Sequence, residues 1–515
     1  MKSSQPTYIP LSLSRKEAIK LAQFHPQQAL AISPSHLKKV KTSFDYVKRI
    51  IEAEKPVYGI NTGFGALAHQ YISKGQLSQL QTNLIRSHCT GMGEPFPTDI
   101  VRLIILIRVH CLQQGHSGVS PELLQSLLNL LNHQIHPIIP RKGSVGASGD
   151  LAPLAHLAAV IMGEGRVEFQ GGTTQTTQEV FQKCHLKAHA LGPKEGLALI
   201  NGTTVMCALA VWCLEQMEQL IKVADVAGVM TLEGLRGTDK AFHALIQLLK
   251  PHPGQIAVGE NLRKLLEGSQ IIHSHQTCHR VQDPYSLRCM PQVHGAIRQT
   301  FLHSCEVVDR ELNAVTDNPL IFPEEDLVVS GGNFHGEALA LCMDYMAMGL
   351  SELANICERR IEKMMNPVFS ELPAFLMQES GLNSGPMIAH VTVAALVSEN
   401  KILCHPASVD SIPTSTDKED HVSMGVTAGL KLLTIIENVR HCLAIEFLCN
   451  TQAMDFLRPL KSSPAIESVY DLIRESVPPI KEDRYFYEDI EKIVQLIQSG
   501  KILKTVEQQL GAPLL

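Results

Sequence analysis

Beyond about residue 204 the apolar positions stop alternating with loops and run on in long stretches. Thr204–Leu235, Pro291–Val315, Glu337–Met365, Pro386–Leu403 and Val422–Phe456 are rich in Ala, Leu and Met and nearly free of proline. A stretch of about 28 residues makes a helix about 42 Å long. Such helices gain most of their stability from packing side by side, so the pattern predicts a bundle of long helices. Several are apolar on more than one face, which calls for burial all round or an oligomer interface. Residues 1 to about 200 instead alternate short helical patterns with loops rich in glycine and proline. Within them Arg166-Val167-Glu168-Phe169 alternates polar and apolar like one arm of a small hairpin. The tail from Pro478 is more charged and predicts peripheral short helices. The fold class expected is mainly α, a long central helix bundle with a mixed α and small-β N-terminal part. The expected domains are 1–203, 204–477 and 478–515.

Composition narrows the picture. A chain of 515 residues with 44% apolar and 19% charged residues can bury a large core. A net charge of -6 gives no electrostatic reason to expect nucleic acid or an anionic membrane as partner. Met1–Glu17 carries no apolar core of a secretory signal, and in Val101–Val109 the purely apolar run, Leu103–Ile107, is far too short to span a bilayer. Thirteen scattered cysteines read as reduced thiols, so a cytoplasmic location is expected.

The chemistry concentrates in Gly143-Ser144-Val145-Gly146-Ala147-Ser148-Gly149-Asp150. Phosphate binding needs G-x-x-x-x-G-K-[ST], and counting from Gly143 puts Asp150 at the last position with no lysine before it. Asp150 suits an N-cap and Pro153 the first turn of a following helix. The run Gly143 to His156 resembles the signature of the aromatic amino-acid ammonia-lyases. Tyr58–Gly65, Asn83–Gly93, Asn201-Gly202-Thr203, Gln282–Cys289, Gly331–Gly336 and Asn383–Met424 resemble further blocks of that family, in family order, over residues 10–510 or so.

The resemblance implies a fumarase/aspartase-like helical architecture and an electrophile made by the chain itself. Ala147-Ser148-Gly149 cyclises and loses water to give 4-methylidene-imidazol-5-one (MIO), with no dissociable cofactor. Gly149 has no Cβ to keep its nitrogen from the Ala147 carbonyl, and dehydration of Ser148 supplies the methylidene. The positive end of the next helix favours electron flow into the group.

Other roles carry over residue by residue. Tyr58 would be the base that removes a β-hydrogen, though a loop tyrosine is ordinarily packing, and a phenol with a pKa of about 10 needs nearby positive potential. Gln282, Tyr285 and Arg288 fall at i, i+3, i+6, on one face if helical. Arg288 near a helix N-terminus makes sense if it clamps the substrate carboxylate; the plainer reading pairs it with Asp283 or Glu306. Asn201 would donate to that carboxylate or to the prosthetic group, with Tyr285 close by. Phe334 would pack beside the electrophile, or simply in the core.

His88 stands where the family places His for histidine or tyrosine substrates. Glu419 can accept an imidazole N–H, whereas facing a phenyl ring it would be desolvated without a partner; its plainer reading is a cap for a helix from Val422. Together they imply L-histidine going to trans-urocanate and ammonia. Thr204, Lys418, Pro386 and His294 depart from the family pattern, and Thr204 and Lys418 are the two that would touch the pocket. Tyrosine or phenylalanine elimination, or an aminomutase outcome, is the alternative within the family.

Two other classes compete. His273, His275, Cys278 and His279 are ligand types, but their spacing fits no zinc framework, so no metal is expected. A non-catalytic scaffold would not need Tyr58, the tripeptide and Arg288 together. The resemblance also implies a small amino-acid substrate and a homotetramer with each active site shared between three subunits.

Overall fold

The computed structural model describes residues 6–23, 29–54, 56–276 and 281–515. The chain divides into two compact units. The first comprises Met1–Trp212, Cys305–Asp344 and Pro406–Leu430; the second comprises Cys213–Ser304, Tyr345–His405 and Lys431–Leu515.

The long apolar stretches form helices at Thr204–Gly234, Met290–Leu312, Glu337–Met365, Met387–Leu403 and Gly425–Asp455. The last begins three residues later than the pattern predicts. Met424 has φ +54°, in the left-handed region that a right-handed helix does not use, so the helix starts after it. Pro386 lies just outside, as the cap of Met387–Leu403.

Within the second unit, four of these helices are joined by buried polar groups. Asp225 accepts from His294 Nδ1 at 2.8 Å and from an Arg298 nitrogen at 2.6 Å. Arg360 donates to Glu446 at 2.9 Å and to His294 Nε2 at 3.1 Å, and Glu446 also accepts from Thr231 at 2.7 Å. His294 therefore donates through one nitrogen and accepts through the other, as a neutral imidazole does. Burial pushes its pKa down, in the same sense. The unexpected histidine links two ion pairs, and removing one member of such a buried pair typically costs 3–5 kcal/mol. The charged tail forms the short helices Phe486–Gln498 and Lys501–Leu510.

The first unit mixes short helices with small sheets. Arg166–Phe169 pairs antiparallel with Thr173–Thr176 as the expected hairpin, and Ile135–Pro137 adds a third strand. The apolar run Leu103–Ile107 lies in the helix Thr98–Leu112, which is buried from Ile100 to Leu112. From it Arg108 reaches the carbonyls of Ala198 and Asn201 at 3.2 and 2.9 Å, fixing the short helix Glu195–Ile200 and the turn after it. Among the described residues no helix is long and apolar enough to cross a membrane.

Candidate active site

The Gly143–Asp150 loop is held against the turn at Asn201–Thr203. Gly202 donates to the Ser148 carbonyl at 3.1 Å, and its own carbonyl accepts from Asp150 N–H at 2.8 Å. Gly149 has φ +82°, and a Cβ built there would lie 2.1 Å from the Gly202 carbonyl oxygen. Only glycine fits this position. On the other flank, Met424 N–H donates to the Val145 carbonyl at 2.9 Å.

Asp150 does not cap the helix that follows it. Leu151, at φ +48°, occupies that cap, and the helix runs Ala152–Ile161 with Pro153 in its first turn. The Asp150 carboxylate instead accepts from Val205 and Met206 N–H, at the start of the Thr204 helix. Burial pushes its pKa up to about 7 against those bonds and the nearby Arg108 charge.

A cavity of about 840 Å³ in the first unit opens over the tripeptide. Its lining includes Tyr58, His88, Ala147, Ser148, Asn201, Phe334 and Glu419, so seven expected site residues converge there. Gly149 lines a smaller adjoining pocket with His88 and Ala147.

Tyr58 is half-buried in a loop closed by Asn61, whose side chain accepts from Val57 N–H at 2.7 Å. Gly59 beside it has φ +72°, with Leu197 and Pro319 where a Cβ would stand. His88 ends the helix Leu77–His88, and its Nδ1 lies 2.8 Å from the Leu84 carbonyl. A carbonyl only accepts, so Nδ1 carries the proton and Nε2 keeps its lone pair. Burial pulls the His88 pKa down despite that bond and the Glu419 charge, which keeps the ring neutral.

Asn201 differs from the donor expected of it. Its amide nitrogen donates to Asp317 and to the Asn318 carbonyl, both at 3.2 Å. Lys194 pairs with Asp317 at 2.6 Å, both side chains fully buried, and fixes that arrangement. The carboxamide thus turns its acceptor oxygen, not its hydrogens, to other partners.

Glu419 is no helix cap: it closes a hairpin with Thr414, well before the helix start at Gly425. Its Oε1 accepts from Ser148 at 3.0 Å and its Oε2 from Thr414 at 2.8 Å. Lys418 also lines the cavity, whereas Thr204 is buried at the start of its helix with no hydrogen-bond partner for its hydroxyl among the described residues, and is not in that lining.

Gln282, Tyr285 and Arg288 belong to the second unit and are not among the lining residues. The helix there is only Tyr285–Arg288, so Gln282 lies outside it and the single helical face does not form. Arg288 stacks over the Tyr285 ring at 4.6 Å, two residues before the Met290–Leu312 helix, with its Nε buried and, among the described residues, lacking a hydrogen-bond partner. Asp283 is occupied by Thr238 N–H at 2.7 Å, and Glu306 pairs with Arg310. Of the histidine-rich segment, His275 bonds the Gly237 carbonyl at 2.8 Å and His273 a neighbouring Gln276, while Cys278 and His279 lie outside the described residues.

His335 and His421, to which the sequence alone assigns no role, also line the cavity, with ring centroids 5.5 Å apart. With Glu337 they bring three nitrogen or carboxylate atoms within 4.8 Å of one another, a spacing that would admit a cation. Their signal was adjacency: each lies within two residues of a position already singled out, Phe334 or Glu419.

A fold of long helices whose glycine loop presents a serine to a carboxylate in a cavity defines a class. Residues 13–475 match the family described as aromatic amino acid lyase, and the chain belongs to that family. Among curated relatives, the histidine ammonia-lyase of Myxococcus xanthus is 48% identical over 96% of this chain and 97% of its own. The crystal structure of histidine ammonia-lyase from Trypanosoma cruzi aligns with TM-score 0.89 at 42% identity, covering 96% of this chain and 94% of that one. Tyrosine aminomutase from Streptomyces globisporus aligns with TM-score 0.94 at 33% identity, covering 99% and 100%.

Proposed function

We propose that this chain is a histidine ammonia-lyase, eliminating ammonia from L-histidine to give trans-urocanate, in the cytoplasm. The observation that carries the substrate is Glu419. A carboxylate in this cavity suits a ring with an N–H to donate and is poorly placed against a phenyl ring. The neutral His88 lines the same cavity and offers an Nε2 acceptor.

Ala147, Ser148 and Gly149 are the source of the prosthetic group. Gly149 N bonds to the Ala147 carbonyl carbon, and the carbonyl oxygen leaves as water with the amide hydrogens of Ser148 and Gly149. The Ser148 Cβ–Oγ bond then breaks, and a second water leaves with the Cα hydrogen. The resulting methylidene-imidazolone supplies an electrophilic carbon that makes the substrate amine a better leaving group.

The chain's side chains do the rest. Tyr58 takes the β-proton as general base. Asn201 Oδ1 accepts from the substrate amine, and Phe334 walls the cavity beside the tripeptide. Arg288 clamps the α-carboxylate bidentately, with Tyr285 and Gln282 beside it. These three come from neighbouring subunits of a homotetramer. Leu341, Tyr345 and Met348, spaced along one helix face and 52%, 39% and 43% exposed, support such an assembly.

A panel of L-histidine, L-tyrosine and L-phenylalanine tests the reading. Urocanate from histidine, with no added cofactor, is expected. Turnover of tyrosine or phenylalanine without histidine, or a β-amino acid product, would replace it with the lyase or aminomutase alternative.

A further inference from the structure

Glu419 divides its carboxylate between two hydroxyl groups. Oε1 accepts from Ser148 at 3.0 Å and Oε2 from Thr414 at 2.8 Å. Thr414 and Glu419 also exchange both backbone hydrogen bonds, with N···O distances of 2.9 and 3.3 Å. The hairpin they close has Ser415, Thr416 and Asp417 at φ +51°, +53° and +62°. Three successive non-glycine residues in the left-handed region persist only where the surrounding structure holds the ends of the turn. The Thr414 hydroxyl is part of that hold, and it also acts on the carboxylate directly.

The two hydroxyls have different fates. Dehydration of Ser148 removes its oxygen and leaves Oε1 without that partner, while the Thr414 bond to Oε2 is untouched. We propose that Thr414 is a positioning residue. It fixes Glu419 so that Oε1 first holds the Ser148 hydroxyl during self-processing and afterwards receives the N–H of the substrate ring. This rests on the reading of Ser148 as the dehydrated serine and of Glu419 as the ring's partner. A carboxylate released from Thr414 turns about its terminal torsion, which has broad, soft minima, and aims Oε1 at neither target.

The test compares Thr414→Val, which keeps the shape and loses the hydroxyl, with Thr414→Ser, which keeps the hydroxyl, in the full-length protein. Intact mass gives the fraction of chains that have lost two waters, and steady-state rates are expressed per processed chain. In Thr414→Val the processed fraction falls and KM for L-histidine rises roughly tenfold, with a smaller change in kcat, as expected for one lost hydrogen bond to a charged group. Thr414→Ser restores both. Thr414→Ala takes the place of the valine variant if that protein does not fold.

A Thr414→Val protein equal to the wild type in processed fraction and KM overturns the assignment. So does a serine variant as impaired as the valine one, which would make Thr414 a packing residue. Wild-type protein that neither loses two waters nor converts histidine overturns the functional reading itself, a result distinct from both.

Discussion

The Ser148 hydroxyl donates to Glu419 Oε1 at 3.0 Å, across 271 positions of sequence. The serine proposed to lose its oxygen and the acid proposed to select the substrate ring are thus hydrogen-bonded neighbours. Substitutions at either should separate the making of the site from its use.

Ser148→Ala removes the leaving hydroxyl without adding volume. The expected protein folds, retains the full unprocessed mass and has lost nearly all activity. Gly149→Ala should fail differently, because its Cβ would lie 2.1 Å from the Gly202 carbonyl. A lowered melting temperature accompanies the loss of processing there. Circular dichroism melts and intact mass distinguish the two.

Glu419→Gln keeps the shape and removes the charge. A hydrogen bond to a charged partner contributes about 1.5–3 kcal/mol, so kcat/KM for histidine should fall roughly 10–100-fold. Equal activity in variant and wild type would show that the carboxylate does not hold the ring.

Glu233 tests the electrostatics away from the cavity. Its pKa is pushed up to about 7 by burial, against hydrogen bonds from Ser269 and Ser462. The folded state therefore holds a proton that the unfolded state has released between the ordinary value of 4.5 and about 7. By linkage, that contribution to stability is complete at low pH and is lost as pH rises through about 7. Glu233→Gln should flatten the fall in melting temperature over this range; an unchanged slope would assign the dependence to other groups, Asp150 among them.

The proposed sharing of each active site between subunits predicts complementation. Neither Ser148→Ala nor Arg288→Ala homo-oligomers should turn over histidine. Mixed oligomers reassembled from both should regain activity, since some sites then combine an intact tripeptide with an intact arginine. Absence of any recovery in verified mixed oligomers would place Arg288 and the tripeptide of each site in one chain.

The long helices were legible because their apolar periodicity is sustained, and they begin and end within three residues of the pattern's limits. Local signals misled where the decisive partner was remote in sequence. Asp150 looks like a cap for the next helix, but its carboxylate reaches Val205 and Met206. Asn201 was read as a donor because nothing local reveals that Asp317 and Asn318 take its hydrogens. The spacing of Gln282, Tyr285 and Arg288 puts them on one face only if the segment is helical, and the helix begins at Tyr285, after Pro284. His294 departs from the family pattern, and the partners that account for it, Asp225 and Arg360, are again remote in sequence. Thr414 carried no signal, since its role depends on a hairpin whose tip uses left-handed backbone at three ordinary residues.

The anchoring of the tripeptide has a consequence for how the protein comes into being. Ser148 meets Glu419 only after 271 positions of sequence have been brought together, and Asp150 meets Val205 across 55. A nascent chain that has emerged only as far as the tripeptide possesses neither contact. Ring closure there would leave a covalent record that this distant assembly had taken place, so the fraction of processed chains in a cell would count correctly folded molecules and not merely synthesised ones.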